Sequence, residues 1–261
     1  MDDSLLNEER QISPYSLSVL RKAMAMGIRV VLASGRAGAS MRSYVDEVGS
    51  PAPYIACNGG EIIDPRDHRL LDGLMFSTEQ AKACARFAEE NHFYVHSYDG
   101  DTFYYAGEEA YGKEYSYSSN LKGVRVSRLS DFITSPTPKL LCVGEPQAIL
   151  MLLDKARSHF GDAVSLSISK PNFLEMVPPG ATKGDALQKL SAYEPISPET
   201  TMAFGDSLND MTMLKWARYG VAMENARHEI KSAFTLVCPP NTQDGVAQYI
   251  ARHVLKEDAS A

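Results

Sequence analysis

Helical and strand-like patterns alternate along the chain from its first residues. Ser13-Pro14 predicts a helix start, with the hydroxyl residue as N-cap and the proline at the first helical position. Leu17, Leu20 and Met24 then recur on one face, and Gly27 ends the segment. The unbroken apolar run 28–33 (IRVVLA) follows, as expected of a strand buried on both faces of a parallel sheet. A helix over 39–48 leads to a second strand-like run at 53–57 (PYIAC). After about residue 77 the rhythm changes. A helix over 79–91 precedes strands 93–98 and 102–105, which turn at Asp99-Gly100. The tyrosine- and serine-rich stretch 106–136 shows no clear period. Then come a strand at 139–143, a helix at 146–160, and strands 164–169 and 173–177 joined near Lys170-Pro171. From Lys183 the first rhythm returns: helices 183–192, 209–217, 226–233 and 244–255 alternate with strands 201–204, 219–222 and 234–237. The pattern predicts an α/β core built from 1–77 and 178–261, interrupted by an α+β cap over 78–177.

Composition narrows the function classes. The chain has 261 residues, with 26 Lys and Arg against 33 Asp and Glu, a formal net charge of −7. Such a balance argues against a general nucleic-acid binder, which needs a basic face, and against an anionic membrane surface. It leaves room for a local basic pocket that takes a small anion. No apolar stretch reaches about 18 residues, and the opening MDDSLLNEERQ has neither the basic nor the apolar region of a signal peptide. Cys57, Cys84, Cys142 and Cys238 are scattered, which reads as reduced, buried thiols in a cytoplasmic protein.

The candidate chemistry sits at strand ends. In Thr201-Met-Ala-Phe-Gly205-Asp206-Ser207-Leu208-Asn209-Asp210 an apolar strand runs into Gly-Asp, and a helix opens near Asn209. Asp206, Asn209 and Asp210 thus offer hard oxygen donors where open α/β sheets place their ligands, which suits Mg²⁺. The same segment also reads as a helix N-cap with an acidic first turn. In 28–36 a hydroxyl, Ser34, ends a buried strand before Gly35-Arg36. The hydroxyl and the following N–H groups can hold a phosphate oxygen, or simply close a strand-to-helix turn. Lys183 opens a helix after Pro178-Pro179-Gly180. A cation there is misplaced against the helix dipole unless an anion offsets it. Asn58-Gly59-Gly60 forms a turn after the second strand.

Taken in order, the hydroxyl, the lysine and the acidic cluster resemble motifs two, three and four of the haloacid dehalogenase superfamily. VVLASGR, ACNGGEI, LEMVPPGATKGDAL, FGDSLNDMTML, GVAMENA and DGVAQYI look like its Cof-like phosphatase branch, over nearly the whole chain. The resemblance implies a doubly wound, Rossmann-like core with an inserted cap, and a Mg²⁺-dependent phosphatase of small phosphorylated metabolites, with sugar phosphates as the expected class. It implies that Ser34 hydrogen-bonds the transferring phosphoryl group, that Lys183 offsets its charge, and that Gly35, Arg36 and Asn58 help bind substrate. Asp206 would bind the metal, with Asn209 and Asp210 beside it. In the first motif, Asp-x-Asp-x-Thr/Ser, Ser4 falls on the hydroxyl position and Asp2 on the second aspartate. Asp2 is therefore the expected general acid/base, its carbonyl a metal ligand, and the nucleophilic aspartate falls immediately before Met1. The 261 residues alone are accordingly expected to turn over sugar phosphates little or not at all. A phosphate-binding relative without the nucleophile and a phosphoryl-transferring mutase are the alternatives.

Overall fold

The chain opens on the loop 1–13 and then forms α1 (Pro14–Ala25), α2 (Gly38–Val48), β1 (Tyr54–Ala56), β2 (Glu61–Ile63) and β3 (Leu70–Gly73). Next come α3 (Thr78–Glu90), β4 (Tyr94–Asp99), β5 (Thr102–Ala106), α4 (Glu109–Ser119), β6 (Lys122–Arg125), α5 (Leu129–Phe132), β7 (Leu140–Val143), α6 (Pro146–Phe160), β8 (Ser165–Lys170) and β9 (Phe173–Val177). The last stretch holds α7 (Lys183–Leu190), β10 (Met202–Gly205), α8 (Met211–Trp216), β11 (Tyr219–Met223), α9 (His228–Ala233), β12 (Leu236–Cys238) and α10 (Gly245–His253). This computed structural model describes residues 1–257; the end of the expected core segment, 258–261, lies outside the described residues. Residues 1–35, 41–72 and the chain from Thr182 onward form one compact unit, and 36–40 with 73–181 form the other. The boundaries expected after 77 and 177 thus fall after 72 and 181. The hairpin β2–β3 carries the first unit to its end, and the N-cap of α7, Thr182, reopens it.

In the first unit β10, β11 and β12 pair in parallel, and β1 pairs antiparallel with β2, beyond which lies β3. Helices α7 and α8 pack on each other and on β1, β10 and β11, while α1 packs on α10, which lies against β12. This is a doubly wound α/β core. Its interior gathers the fully buried Leu6, Met41, Ile55, Ile62, Val221 and Met223. The cap of α1 forms as the sequence dictates: the Ser13 hydroxyl accepts the Ser16 N–H at 2.9 Å. The run 28–33, expected as a full strand, makes only a single parallel bridge, Ala33 to Ile55. Its hydrogen bonds go one way: Ile55 N–H to the Leu32 carbonyl (2.8 Å) and Ser34 N–H to the Ile55 carbonyl (3.0 Å). Among the described residues no strand pairs with its other flank.

The second unit is an α+β cap with a six-stranded sheet in the order β6-β5-β4-β7-β9-β8, antiparallel except for β5–β6. Phe76, Leu129, Leu140, Ile149, Leu152 and Leu174 fill its apolar core. The stretch 106–136 resolves into α4, β6 and α5, with Asn120 in the left-handed region (φ 56°) ending α4. Its tyrosines mask the helical period because Tyr115 faces inward while Tyr117 is exposed. His96 is buried between Tyr98 (Nε2 to Oη 2.7 Å) and Tyr94 (Nδ1 to Oη 3.1 Å), and burial holds its imidazole well below the usual histidine range. Among the described residues no helix is long and apolar enough to cross a membrane.

Candidate active site

The site is built where β10 runs into Gly205-Asp206. A Cβ on Gly205 would lie 2.5 Å from Asp210 Cβ, so glycine alone lets Asp210 fold back under the strand end. There Asp210 Oδ2 accepts the N–H groups of Asp206 (3.0 Å) and Ser207 (3.1 Å). Its Oδ1 accepts Lys183 Nζ at 2.5 Å, with the two side chains only 3% and 4% exposed. Burial alone would raise the Asp210 carboxyl, but the Lys183 cation, the Met1 ammonium and the donated hydrogen bonds outweigh it and hold it below the ordinary carboxylate range.

Asp206 is buried and differently placed. Its two oxygens accept the hydroxyls of Ser4 and Ser207, each at 2.6 Å. Burial, with the neighbouring Asp210 charge, raises its pKa. Among the described residues no Lys, Arg or His nitrogen forms an ion pair with this carboxylate. Across from it, Asp2 Oδ2 accepts the Ser34 hydroxyl at 3.1 Å. The loop carrying Asp2 and Ser4 is tied down from elsewhere in the chain. The Met1 amine donates to the Ala33 carbonyl (3.3 Å), Asn225 Nδ2 to the Asp3 carbonyl (2.8 Å) and Asn241 Nδ2 to the Leu6 carbonyl (2.9 Å).

The turn after β1 supplies the third wall. Asn58 sits in the left-handed region (φ 57°) and donates its N–H to the Ser34 carbonyl at 3.0 Å. Its Oδ1 accepts Asn209 Nδ2 at 2.9 Å. A Cβ on Gly35 would come within 2.9 Å of that same oxygen. A Cβ on Gly59 would fall 2.2 Å from the Thr182 carbonyl, so this turn is set against the start of α7.

The structure therefore brings Asp2, Ser34, Gly35, Asn58, Lys183, Asp206, Asn209 and Asp210 to one end of the core sheet. Arg36 lies in the 36–40 segment that groups with the second unit. Within the site Lys183 is bonded to Asp210, Ser34 to Asp2 and Asn209 to Asn58. Asp210 spends both oxygens within the protein, because the strand end leaves two N–H groups and a buried ammonium that need an acceptor. Among the described residues no group of three or more His, Cys, Asp and Glu side chains gathers as a metal cage. The donor chemistry still fits a hard cation: a buried carboxylate without a cationic partner, braced by two hydroxyls, next to the Asp2 loop. Sequence reasoning left out Ser207, Asn225 and Asn241 as site supports. The segment GVAMENA and the asparagine after Pro239-Pro240 were the available signals.

An acidic strand end, a hydroxyl-bearing turn and a helix-opening lysine thus lie on one edge of the α/β core. The family model for haloacid dehalogenase-like hydrolases matches residues 1–250. The phosphatase YwpJ of Bacillus subtilis is 30% identical over 284 residues, covering 98% of this chain and 98% of its own. The 5-amino-6-(5-phospho-D-ribitylamino)uracil phosphatase YwtE of the same organism is 28% identical, over 96% of this chain and 94% of its own. A crystal structure of a haloacid dehalogenase-like hydrolase from Bacteroides thetaiotaomicron superposes with a TM-score of 0.88 at 28% identity, over 96% of each chain. The chain belongs to the haloacid dehalogenase-like hydrolases, in their Cof-like branch, and is by family a phosphoric monoester hydrolase.

Proposed function

We propose that this site hydrolyses small phosphorylated metabolites of the sugar-phosphate class with the help of Mg²⁺. The observation that carries the reading is Asp206: a buried carboxylate, held by Ser4 and Ser207, with no cationic side chain paired to it. Leaving such a charge uncompensated is costly, and a divalent cation removes the cost. Asp206 and the Asp2 carbonyl would hold the ion, with Asn209 and Asp210 beside it. When bound there, a divalent cation would shield the negative charge of the phosphoryl group from the attacking carboxylate. Because Asp210 is already engaged, its part is to fix the Asp206 backbone and to keep the Lys183 cation at the site.

Asp2 acts as general acid/base, oriented by the Ser34 hydroxyl. A nucleophilic carboxylate attacks phosphorus, and the bond from phosphorus to the alcohol oxygen breaks. The departing oxygen takes the Asp2 proton. Asp2 then accepts a proton from water, whose oxygen attacks the aspartyl-phosphate and releases inorganic phosphate. Lys183 supplies positive charge as the phosphoryl group passes. The printed substrate of YwtE, a phospho-D-ribityl compound, supports a phosphorylated sugar or polyol.

The test measures phosphate release from a sugar-phosphate panel with and without Mg²⁺. It compares the protein with its Asp2→Asn and Asp206→Asn variants. Turnover is expected to require Mg²⁺ and to be lost with EDTA, with Asp2→Asn and with Asp206→Asn. Release that survives both EDTA and Asp206→Asn would refute the proposal, and isomerised product without free phosphate would point to a mutase.

A further inference from the structure

Two loops of the candidate site are held from one turn. Residues 224–227 connect β11 to α9. Asn225 Nδ2 donates to the Asp3 carbonyl at 2.8 Å, and the Arg227 N–H donates to the Asp206 carbonyl at 3.0 Å. The turn itself is fixed against β12, because the Glu224 N–H donates to the Cys238 carbonyl at 2.9 Å. The partners of the Asn225 amide settle its orientation. Its Oδ1 accepts the Asn241 N–H at 3.2 Å, so its Nδ2 faces the Asp3 carbonyl as the donor. Asn241 is buried, and its own Nδ2 donates to the carbonyl of the buried Leu6 at 2.9 Å. The two asparagines thus grip the first loop at two points. One grip falls on a pivot. Asp3 stands at φ 52°, a left-handed conformation that a residue with a β-carbon keeps only when its surroundings hold it. On one side of it Asp2 Oδ2 accepts the Ser34 hydroxyl, and on the other the Ser4 hydroxyl donates to Asp206.

We propose that Asn225, anchored by Asn241, is a positioning residue for the cation. It sets the spacing of the Asp2–Ser4 segment from Asp206, and thereby the affinity and selectivity of the site for Mg²⁺. The inference rests on the Mg²⁺ reading of Asp206 given above. Asn225 acts through the Asp3 peptide and is not itself a ligand. Mg²⁺ demands near-ideal octahedral donors at about 2.0–2.1 Å, whereas Ca²⁺ accepts longer and more irregular ones. A segment that drifts at Asp3 must be ordered by the ion as it binds, and that ordering lowers affinity. The ion with the stricter geometry loses more. Outer partners that orient a metal site commonly change its affinity by about 10–100-fold.

The test titrates the protein with Mg²⁺ and with Ca²⁺ in a calorimeter, beside Asn225→Ala, Asn225→Asp and Asp206→Asn. Asn91→Ala, which removes a contact to the Phe87 carbonyl in the cap, controls for a loss of stability alone. Asn225→Ala should weaken Mg²⁺ binding about tenfold and Ca²⁺ binding by less, so that the preference for Mg²⁺ narrows. Asn225→Asp keeps an acceptor for the Asn241 N–H but sets a carboxylate against the Asp3 carbonyl. Its added negative charge alone would tighten a cation, so weaker Mg²⁺ binding in this variant isolates the lost donor. Asn91→Ala should leave both affinities unchanged. Parent affinity for Mg²⁺ in Asn225→Ala, tighter binding in Asn225→Asp, or an equal loss for the two ions would overturn the proposal. Mg²⁺ binding that survives Asp206→Asn, or its absence from the parent, would instead overturn the metal reading on which the proposal rests.

Discussion

Removing the Lys183 ammonium tests the brace on which the site stands. Lys183→Ala leaves the Asp210 carboxylate buried, with one oxygen on two backbone N–H groups and the other without its cation. Breaking a buried pair by deleting one partner costs about 3–5 kcal/mol. For a chain of this size that lowers Tm by about 2 °C per kcal/mol, so by about 6–10 °C. The pH dependence has a definite sign. In the parent, the depressed Asp210 pKa contributes stability above the unfolded carboxylate pKa, and that contribution is lost as pH falls through the folded value. In the variant, burial dominates and the pKa rises, so the folded state is penalised at neutral pH and relieved as the carboxyl is protonated. The Tm deficit should therefore be largest near pH 7.5 and shrink toward pH 4.5. Adding Asp210→Asn, whose oxygen still accepts both N–H groups, should restore much of the loss, because neither charge is then left alone. Calorimetric scans across this pH range provide the measurement. A variant that melts within 2 °C of the parent at pH 7.5, or a deficit that does not change with pH, would refute the reasoning.

Other outcomes follow from single contacts. Asn225→Ala removes the donor to the Asp3 carbonyl and the acceptor of the Asn241 N–H, and should cost about 1–3 kcal/mol in denaturant titrations. Gly59→Ala forces a side chain into a backbone at φ 105° with the Thr182 carbonyl 2.2 Å away, so soluble yield and Tm should both fall sharply. The four cysteines are buried, and burial pushes the Cys84 and Cys238 thiols up to about 12. A thiol reagent at pH 8 should thus react slowly with the native protein and rapidly after denaturation.

Much of this architecture was legible in the sequence, and the legible part was local. Ser13-Pro14 announced α1, Pro146 stands at the start of α6, and Asp99-Gly100 marked the β4–β5 turn, because caps and turns are settled by neighbours a few residues apart. The motif segments lay at strand ends for the same reason, and their order pointed to the family. Partnership was not legible. Nothing in residues near Lys183 shows that its ammonium goes to Asp210, nor that Asn225 and Asn241 hold the loop at Asp3 and Leu6. The apolar run 28–33 has every local mark of a buried strand, yet among the described residues it forms one bridge, Ala33 to Ile55, because strand pairing is decided by distant segments. Residues 106–136 hid α4 because of its three tyrosines Tyr115 joins the His96 cluster of the cap, Tyr111 is half-buried against Tyr94 and Tyr117 faces solvent. Local propensity determined the elements; which buried charge meets which, and which asparagine ties down which loop, was decided only when the chain closed on itself.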